Sequence, residues 1–295
     1  MSFYKNIDYN TKIVGIIGHP IRHSLSPMMH NLSFETQKLN YVYLPFDVPT
    51  SNLKGALKSL SLLGIRGLNV TLPHKEKILQ YMDHVSEEAS MVGAVNTVVN
   101  EGNQLFGYNT DINGIVETLM PFKDNLNKST ATVIGAGGAA RGVIFSLIRH
   151  FKVDKINIIN RTEEKSEAIK DYFKDKMHFT AIYSHELMAK ENVEIYQASN
   201  LIINTTSLGL FPNIEDSPTD IAESFNSNQI VFDLIYNPIK TKFLQFAESQ
   251  NATILDGLQM FVVQGAKSYE LWTGNEMQYD FIYNELRQKL ISTEE

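Results

Sequence analysis

The sequence predicts an α/β protein of two domains, with C-terminal helices that pack back on the first domain. Its 295 residues, 43% of them hydrophobic, are enough to bury two cores. Short apolar runs alternate with helical patterns along the chain, which is typical of α/β folds. A polar, Asn-rich connector, Phe122–Ser129, separates two series of such units. We therefore expect one domain at residues 1–111, completed by 257–295, and a second domain at 112–256.

The first domain is predicted to alternate strands with helices. Ser26-Pro27 marks a helix start, because serine suits the N-cap and proline the first helical position. Glu101-Gly102-Asn103, between two apolar runs, is typical of a tight hairpin, and Pro121 ends the helix that follows. The predicted elements are the strand Ile13–Ile17, the helix from Ser26, the strands Tyr41–Val48, Ile65–Leu72, Val95–Asn100 and Gln104–Tyr108, and a helix over about Ile112–Met120.

The second domain opens with an apolar strand that runs into a glycine-rich turn and a helix, the order of a Rossmann-type unit. Asn237-Pro238 breaks the pattern further on, and two helical stretches after Asp256-Gly257 are expected to pack on the first domain. The predicted elements are the strand Ala131–Ile134, a helix through about Arg149, the strand Lys155–Ile159, a helix from Thr162, strands near Leu201–Asn204 and Ile230–Leu234, and helices over Leu258–Trp272 and about Gln278–Leu290.

Composition excludes several classes of function. The formal net charge of -7, without clusters of Lys and Arg, argues against binding to nucleic acid. The absence of cysteine excludes disulfides and cysteine-ligated metals, and no apolar run approaches the roughly 20 residues of a membrane helix. His19 and His23 are separated by Pro20, so they do not form a helical metal face. We expect a soluble, cytoplasmic protein without a metal site.

A glycine-rich turn at Gly135-x-Gly137-x-x-Ala140 lies between a predicted strand and helix, the context in which this pattern binds a pyrophosphate. The first glycine permits the sharp turn, the second lets the backbone approach the diphosphate, and the small third residue lets helix and strand pack closely. The anion would bind at the positive end of the helix. An ordinary strand-to-helix turn is the alternative. The expected cofactor contacts are Gly135, Ala136, Gly137, Gly138 and Ala139.

The next strand ends in Asn160-Arg161-Thr162, where an NAD-binding unit would normally place a carboxylate against the ribose. A guanidinium there can bind a ribose 2′-phosphate with two hydrogen bonds, so this tip favours NADP. Lys165 adds a second positive charge, whereas Glu163 and Glu164 weaken the field. The alternative is that residues 160–162 only cap the next helix, a role that Thr162 suits.

Polar residues in the first domain gather where a strand is predicted to end. Alternation places Asn69 and Thr71 on one face of the strand, and after Pro73 we expect Lys75 at the start of a helix. A lysine there can transfer a proton. The alternative is a solvated surface lysine beside Glu76.

Asp111 follows another predicted strand, at a junction where aspartate commonly caps a helix. If it lies near Lys75, its carboxylate would favour the ammonium and form a proton-transfer pair with it. Asn96 interrupts an apolar strand and is suited to contact a substrate hydroxyl, or it is a satisfied amide within the sheet. Ser24 and Ser26 place two hydroxyls before a helix N-terminus, which can receive a carboxylate. Ser26 can equally be only the N-cap.

Together these segments resemble the shikimate dehydrogenase family over nearly the whole chain. The resemblance lies in nine motifs that follow one another in the family's order. They are His23–Pro27, Asn69–Lys75, Gly93–Thr97, Asn109–Asp111, Gly135–Arg141, Asn160–Thr162, Asn204–Gly209, Tyr236–Pro238 and Gly257–Gln264.

The resemblance implies reversible, NADP-dependent reduction of 3-dehydroshikimate to shikimate in aromatic amino acid biosynthesis, with Lys75 and Asp111 as the acid–base pair. The first domain would bind this small substrate and the Rossmann-type domain the cofactor, in a monomer or homodimer. The resemblance also implies the ligand contacts: Ser24, Ser26 and Tyr236 for the carboxylate, Asn69, Thr71, Asn96, Asp111 and Gln264 for the ring hydroxyls, and Thr205, Ser207 and Gly257 for the cofactor.

Two other functions stay open at this point. A related branch oxidises quinate as well as shikimate and accepts NAD or NADP, and Pro20–His23 and Leu271–Gly274 resemble that branch. A non-catalytic NADP-binding sensor would keep the glycine-rich turn but would not need Lys75 and Asp111.

Overall fold

The computed structural model describes residues 7–21, 24–187 and 192–294. The chain divides into two units, here called unit 1 (Met1–Thr110 with Gly265–Leu286) and unit 2 (Asp111–Gln264 with Arg287–Glu295). The predicted domain limits, which also assign substrate and cofactor binding, stay a prediction.

Unit 1 is built on one mixed sheet. Its first elements are β1 (Lys12–Gly18), α1 (Ser26–Thr36), β2 (Tyr41–Asp47), α2 (Leu53–Leu62), β3 (Ile65–Val70), β4 (His84–Val85), α3 (Glu87–Val92), β5 (Thr97–Glu101) and β6 (Gln104–Tyr108). The six strands lie in the order β2-β1-β3-β5-β6-β4. β1 is parallel to β2 and β3, whereas β5 is antiparallel to β3 and β6. Gly102 and Asn103 reverse the chain between β5 and β6, both with positive φ, as a tight hairpin requires.

Unit 2 is built on a parallel sheet. Its elements are α4 (Asp111–Leu119), α5 (Lys123–Leu126), β7 (Thr130–Ile134), α6 (Gly138–Ser146), β8 (Lys155–Asn160), α7 (Glu163–Met177), β9 (Ile182–Glu186), α8 (Val193–Gln197), β10 (Leu201–Asn204), β11 (Ile230–Asp233), α9 (Lys242–Ser249) and β12 (Thr253–Leu255). The six strands lie in the order β12-β11-β10-β7-β8-β9. Strand order reverses beside β7, and ligands bind such sheets at the carboxyl ends of the strands at this point.

Two C-terminal helices complete the chain, α10 (Leu258–Thr273) and α11 (Tyr279–Glu294). Within unit 1, Trp272 of α10 is buried against the sheet, and its Nε1 donates to the Val98 carbonyl of β5 at 3.0 Å. Gly67 of β3 faces the same indole, and a Cβ at residue 67 would clash with it. The prediction that the C-terminal helices pack on the first domain is therefore confirmed.

The α/β class and the two sheets are confirmed, but several element limits differ. The strand predicted from Val95 begins at Thr97, and the strand predicted to reach Leu72 ends at Val70. The helix predicted to have Ser26 as its N-cap has Leu25 there and Ser26 as its first residue. Eight elements were not predicted from the sequence: α2, α3, α5, α8, α9, β4, β9 and β12. Of these, α5 lies within the segment Phe122–Ser129, which was predicted to be a connector. Three of these, β4, β9 and β12, are edge strands, whose pattern is weak because they pair on one side only. No helix of the described ranges is long and apolar enough to cross a membrane.

Candidate active site

The turn after β7 requires a glycine at its first position. Gly135 has φ of +107°, which L side chains rarely adopt, and a Cβ there would lie 2.5 Å from Thr205 Oγ1. Thr205 is held against the turn because its N–H and its hydroxyl both donate to the Ile134 carbonyl, at 2.9 and 2.7 Å. The turn is therefore fixed against the carboxyl end of β10.

Gly137, unlike Gly135, is not required by its own packing. A Cβ at residue 137 would meet no described atom within 4 Å, so nothing in the described parts of the chain demands a glycine there. Gly137 precedes the first residue of α6 and has no side chain to cap it. The N–H groups of the first turn of α6 are donors that need an acceptor, and a bare glycine lets an anion reach them. The turn fits the pyrophosphate of a dinucleotide.

The tip of β8 carries the predicted NADP contacts. The Asn160 side chain donates to the Thr162 carbonyl at 2.7 Å, which holds the tip, and Arg161 and Lys165 are exposed. Thr162 occupies the N-cap position of α7, but its side chain makes no capping hydrogen bond within the described residues. The geometry gives no support to a capping role for the Thr162 hydroxyl.

Asn69, in β3, lies in a buried network of hydroxyl groups. Its Oδ1 accepts from Tyr43 Oη at 2.8 Å, and its Nδ2 donates to Ser268 Oγ at 2.8 Å and to Thr97 Oγ1 at 3.2 Å. Ser268 belongs to α10, so the C-terminal helix holds a side chain of the central sheet. The network fixes the direction of the Asn69 amide.

Asn96 is fixed by the chain that precedes α4. Its Oδ1 accepts from the Thr110 N–H at 2.7 Å, and its Nδ2 donates to Thr110 Oγ1 at 2.9 Å. Because the N–H is only a donor, it determines which way the amide points. Thr97 Oγ1 lies 3.1 Å from Asn96 Oδ1 and joins this pair to the Asn69 network. Four supports of the site were not predicted from the sequence. Thr97 and Thr110 lie within quoted motifs, Tyr43 lies in a predicted strand, and Ser268 lies in a predicted helix.

His30 packs beside this network. It is fully buried, and its ring stacks on Tyr43 with centroids 4.4 Å apart. Burial lowers the pKa of His30 to about 3, against the opposing effect of the Asn69 amide. The ring is therefore neutral near pH 7 and adds no charge to the site.

The two serines predicted to receive a carboxylate lie together. Ser24 Oγ is 3.1 Å from Ser26 Oγ and accepts from the Ser26 N–H at 3.2 Å. His23, the first residue of this motif, lies outside the described residues.

His19 forms an exposed pair with Asp47, with Nδ1 2.6 Å from Oδ1. The described residues contain no group of side chains that could hold a metal.

Thr71 and Lys75 follow β3. Thr71 is half-buried, and its N–H donates to the Ile17 carbonyl of β1 at 2.9 Å. Lys75 was expected at a helix start, but it lies in a turn before a short 3-10 helix, Lys77–Tyr81. Its carbonyl accepts from the Val95 N–H at 2.8 Å, which ties this turn to the segment that leads to Asn96. The side chain is half-buried, unlike that of a fully solvated surface lysine.

Asp111 is the first residue of α4 and is buried, with 4% of its surface exposed. Gly114, one turn later, lies against the Met260 carbonyl of α10, and a Cβ there would be 2.5 Å from that oxygen. Asp111 belongs to unit 2 and Lys75 to unit 1, so their pairing stays a prediction.

Tyr236 and Gln264 share a neighbour in unit 2. The Tyr236 ring stacks on Phe261 of α10 with centroids 4.2 Å apart, and Gln264 Nε2 donates to the Phe261 carbonyl at 2.8 Å. The N–H of Gly257 donates to the Ile235 carbonyl at 3.0 Å, and a Cβ at residue 257 would clash with Leu234. Tyr236 and Gln264 therefore each contact Phe261 of α10, the first through its ring and the second through its carbonyl.

Three family models match consecutive parts of the chain. They describe a shikimate dehydrogenase substrate binding domain over residues 16–98, a shikimate / quinate 5-dehydrogenase over 117–235, and a shikimate 5′-dehydrogenase C-terminal domain over 257–287.

Individual relatives match over almost their full length. A shikimate dehydrogenase (NADP(+)) of Caldanaerobacter subterraneus subsp. tengcongensis is 43% identical, over 96% of this chain and 99% of that protein. The crystal structure of shikimate 5-dehydrogenase from Thermus thermophilus in complex with NADP(H) and shikimate has a TM-score of 0.80 and 35% identity, over 94% and 99% of the two chains. A quinate dehydrogenase from Corynebacterium glutamicum in complex with NAD has a TM-score of 0.84 and 26% identity, over 94% and 99%.

Proposed function

The chain belongs to the shikimate dehydrogenase family, and we propose that it catalyses the reversible, NADP-dependent reduction of 3-dehydroshikimate to shikimate in aromatic amino acid biosynthesis. The observation that carries the proposal is full-length similarity to NADP-dependent shikimate dehydrogenases. It is supported by a glycine-rich turn that admits an anion and by Arg161 at the tip of the next strand.

The reaction needs a group that moves one proton. When bound, NADPH supplies the hydride that reduces the ketone carbon. The Lys75 ammonium donates a proton to the oxygen that becomes a hydroxyl, and the neutral amine accepts it in the reverse direction. In this proposal the Asp111 carboxylate orients the Lys75 side chain.

Polar side chains hold the substrate in this proposal. Ser24, Ser26 and Tyr236 bind its carboxylate, and a second group contacts the ring hydroxyls. Because the Asn69 nitrogen already donates to Ser268 and Thr97, its oxygen is the atom with remaining capacity for a substrate hydroxyl. The hydroxyl contacts are Asn69, Thr71, Asn96, Asp111 and Gln264.

The cofactor is NADP, and its contacts follow the two tips of unit 2. The pyrophosphate binds at the turn after β7, and the ribose 2′-phosphate binds at the tip of β8. The contacts are Gly135, Ala136, Gly137, Gly138, Ala139, Asn160, Arg161, Thr162, Lys165, Thr205, Ser207 and Gly257.

Turnover of shikimate with NADP, followed by nicotinamide absorbance, tests the proposal directly. Lys75→Ala should lower kcat by about 10²–10⁴-fold, the usual contribution of a general acid–base group. Lys77→Ala is the matched control, because it removes the same charge from an exposed position two residues away. Equal rates in the two variants would remove Lys75 from the mechanism.

Oxidation of quinate is a second candidate activity, favoured by the shikimate / quinate family model and the quinate dehydrogenase relative. Rates with shikimate and quinate, each with NADP and NAD, distinguish the two enzymes. A protein that binds NADPH but turns over neither acid would be a sensor instead.

Arg161→Ala should raise KM for NADP by about tenfold or more and leave KM for NAD unchanged, because only NADP carries the phosphate.

We also propose a cytoplasmic location and a monomeric or homodimeric state. The absence of cysteine is compatible with a reducing compartment. Cell fractionation tests the location, and size-exclusion chromatography with light scattering tests the oligomeric state.

A further inference from the structure

A buried carboxylate lies outside the set of residues proposed to contact ligands. Asp233 ends β11 and is completely buried. Its Oδ1 accepts from Asn204 Nδ2 at 3.0 Å and from the Ile235 N–H at 3.1 Å, and its Oδ2 accepts from Thr241 Oγ1 at 2.7 Å. The carboxylate therefore joins the ends of β10 and β11 to the start of α9.

The direction of each hydrogen bond is fixed by backbone donors. Asn204 Oδ1 accepts from the Thr206 N–H at 3.0 Å, so the amide nitrogen must face Asp233. Thr241 Oγ1 accepts from the Leu244 N–H at 3.3 Å as the N-cap of α9, which leaves its own hydrogen for Asp233. All three partners of Asp233 donate, so this position suits a group that only accepts.

The partners of Asp233 also shape the segments that carry proposed ligand contacts. Asn204 Oδ1 accepts from the Thr206 hydroxyl at 2.7 Å, and that hydroxyl accepts from the Leu208 N–H at 3.1 Å. Thr205 and Ser207 lie in the turn that these bonds close. On the other strand, Ile235 directly precedes Tyr236.

We propose that Asp233 is a positioning residue that holds the Asn204–Leu208 turn and the segment of Tyr236 in one arrangement, so that cofactor and substrate contacts form together. The proposal rests on the proposed function, since it assigns cofactor binding to Thr205 and Ser207 and substrate binding to Tyr236. Asp233 acts through Asn204, Ile235 and Thr241 and touches neither ligand.

The cost of burying a carboxylate argues against a purely structural role for Asp233. Burial raises the pKa of Asp233 to about 7, even though its three hydrogen bonds lower it. A buried carboxylate is costly to desolvate, and apolar residues of similar size often serve stability as well or better. The rest of β11, Ile230–Phe232, is apolar.

Two threonine-to-valine variants of unit 2 separate positioning from stability. Thr241→Val removes the donor to Asp233 Oδ2. Thr132→Val is the matched control: Thr132 is equally buried, in β7, and its hydroxyl lies 2.7 Å from Ser199 Oγ. Both variants lose one buried hydroxyl of the same size, but only Thr241 is linked to the two segments. Asp233→Asn is the conservative variant, because its oxygen still accepts from Asn204 and Ile235.

The readouts are the NADPH dissociation constant, measured by nicotinamide fluorescence, and the KM values for NADP and shikimate. We expect Thr241→Val to raise all three by about tenfold, as expected for loss of one hydrogen bond to a charged acceptor, with little change in kcat. Asp233→Ala should have a larger effect, and Asp233→Asn should recover part of it. Thr132→Val should lower the melting temperature and leave all three constants unchanged.

The inference is overturned if Thr241→Val and Asp233→Asn keep the binding constants of the unchanged protein, whatever their stability. If Asp233→Ala does not fold, these two variants still decide the question. If the unchanged protein does not turn over shikimate, the proposed function fails. The NADPH dissociation constants of the variants then still test whether Asp233 positions the Asn204–Leu208 turn.

Discussion

A methyl group added at Gly114 tests whether the close approach of α4 and α10 in unit 2 is required. A Cβ there would lie 2.5 Å from the Met260 carbonyl oxygen and 2.7 Å from Met260 Cγ. Real Cβ atoms essentially never come within 3.0 Å of another heavy atom, so the helices would have to separate by about 0.5 Å. Gly142 of α6 is the matched control, because the nearest atom to a Cβ there is 3.6 Å away.

The expected magnitudes follow from two opposing effects. Replacing glycine by alanine inside a helix gains about 1 kcal/mol at either position. Overpacking costs roughly 1–3 kcal/mol, and the cost at Gly114 should be near the upper limit because the obstructing atom is a backbone oxygen. Gly114→Ala should therefore be about 2 kcal/mol less stable than the unchanged protein, and Gly142→Ala up to about 1 kcal/mol more stable.

Thermal unfolding followed by circular dichroism measures the difference. A loss of about 2 kcal/mol corresponds to a melting temperature roughly 4–8 °C lower for Gly114→Ala. Denaturant titration of both variants gives the free energies independently. The reasoning is refuted if Gly114→Ala is as stable as Gly142→Ala, since the spacing between α4 and α10 would then tolerate a side chain.

Three further predictions concern other buried groups. Because burial raises the pKa of Asp233 from 3.8 to about 7, the unfolded chain loses this proton at a lower pH than the folded chain does. The contribution of Asp233 to stability is therefore full below about pH 4 and is lost as pH rises to about 7. Asp233→Asn cannot titrate, so its free energy of unfolding should fall less over this pH range than that of the unchanged protein, measured by denaturant unfolding. Trp272→Phe should lower the free energy of unfolding by about 1–3 kcal/mol, because the buried Val98 carbonyl loses its 3.0 Å donor. Unfolding of this variant should be followed by circular dichroism, since it has no tryptophan left for fluorescence. Ser268→Ala removes the 2.8 Å acceptor of the Asn69 amide and should reduce the preference for shikimate over an analogue that lacks a ring hydroxyl by about tenfold, measured as a ratio of kcat/KM values.

Local steric rules made much of the fold predictable. The strand Gln104–Tyr108 has the limits that were predicted, because glycine and asparagine readily adopt the positive φ of the preceding turn. The helix before Pro121 ends at Leu119, one residue from its predicted end. The glycine at residue 135 was identified for the same kind of reason, since its φ is one that other residues rarely adopt.

Features that depend on neighbours distant in sequence were not predictable in the same way. The turn that carries Lys75 was taken for a helix start, because nothing near it in sequence indicates its hydrogen bond to Val95. The edge strands β9 and β12 have too few buried residues to produce a clear alternation.

The sequence by itself determined the α/β class, the order of the main elements and the glycine-rich turn of a dinucleotide-binding unit, because these depend on backbone sterics and on the periodicity of apolar residues. The motifs of a dehydrogenase were identified by resemblance to a family. Only the tertiary structure decided what surrounds each motif residue. Ser268 contacts Asn69 across 199 positions, and Asp233 accepts from Asn204 across 29. Such partners meet because the strands are ordered in sheets and α10 packs on one of them, and that order is set by the burial of whole faces rather than by any local run of residues.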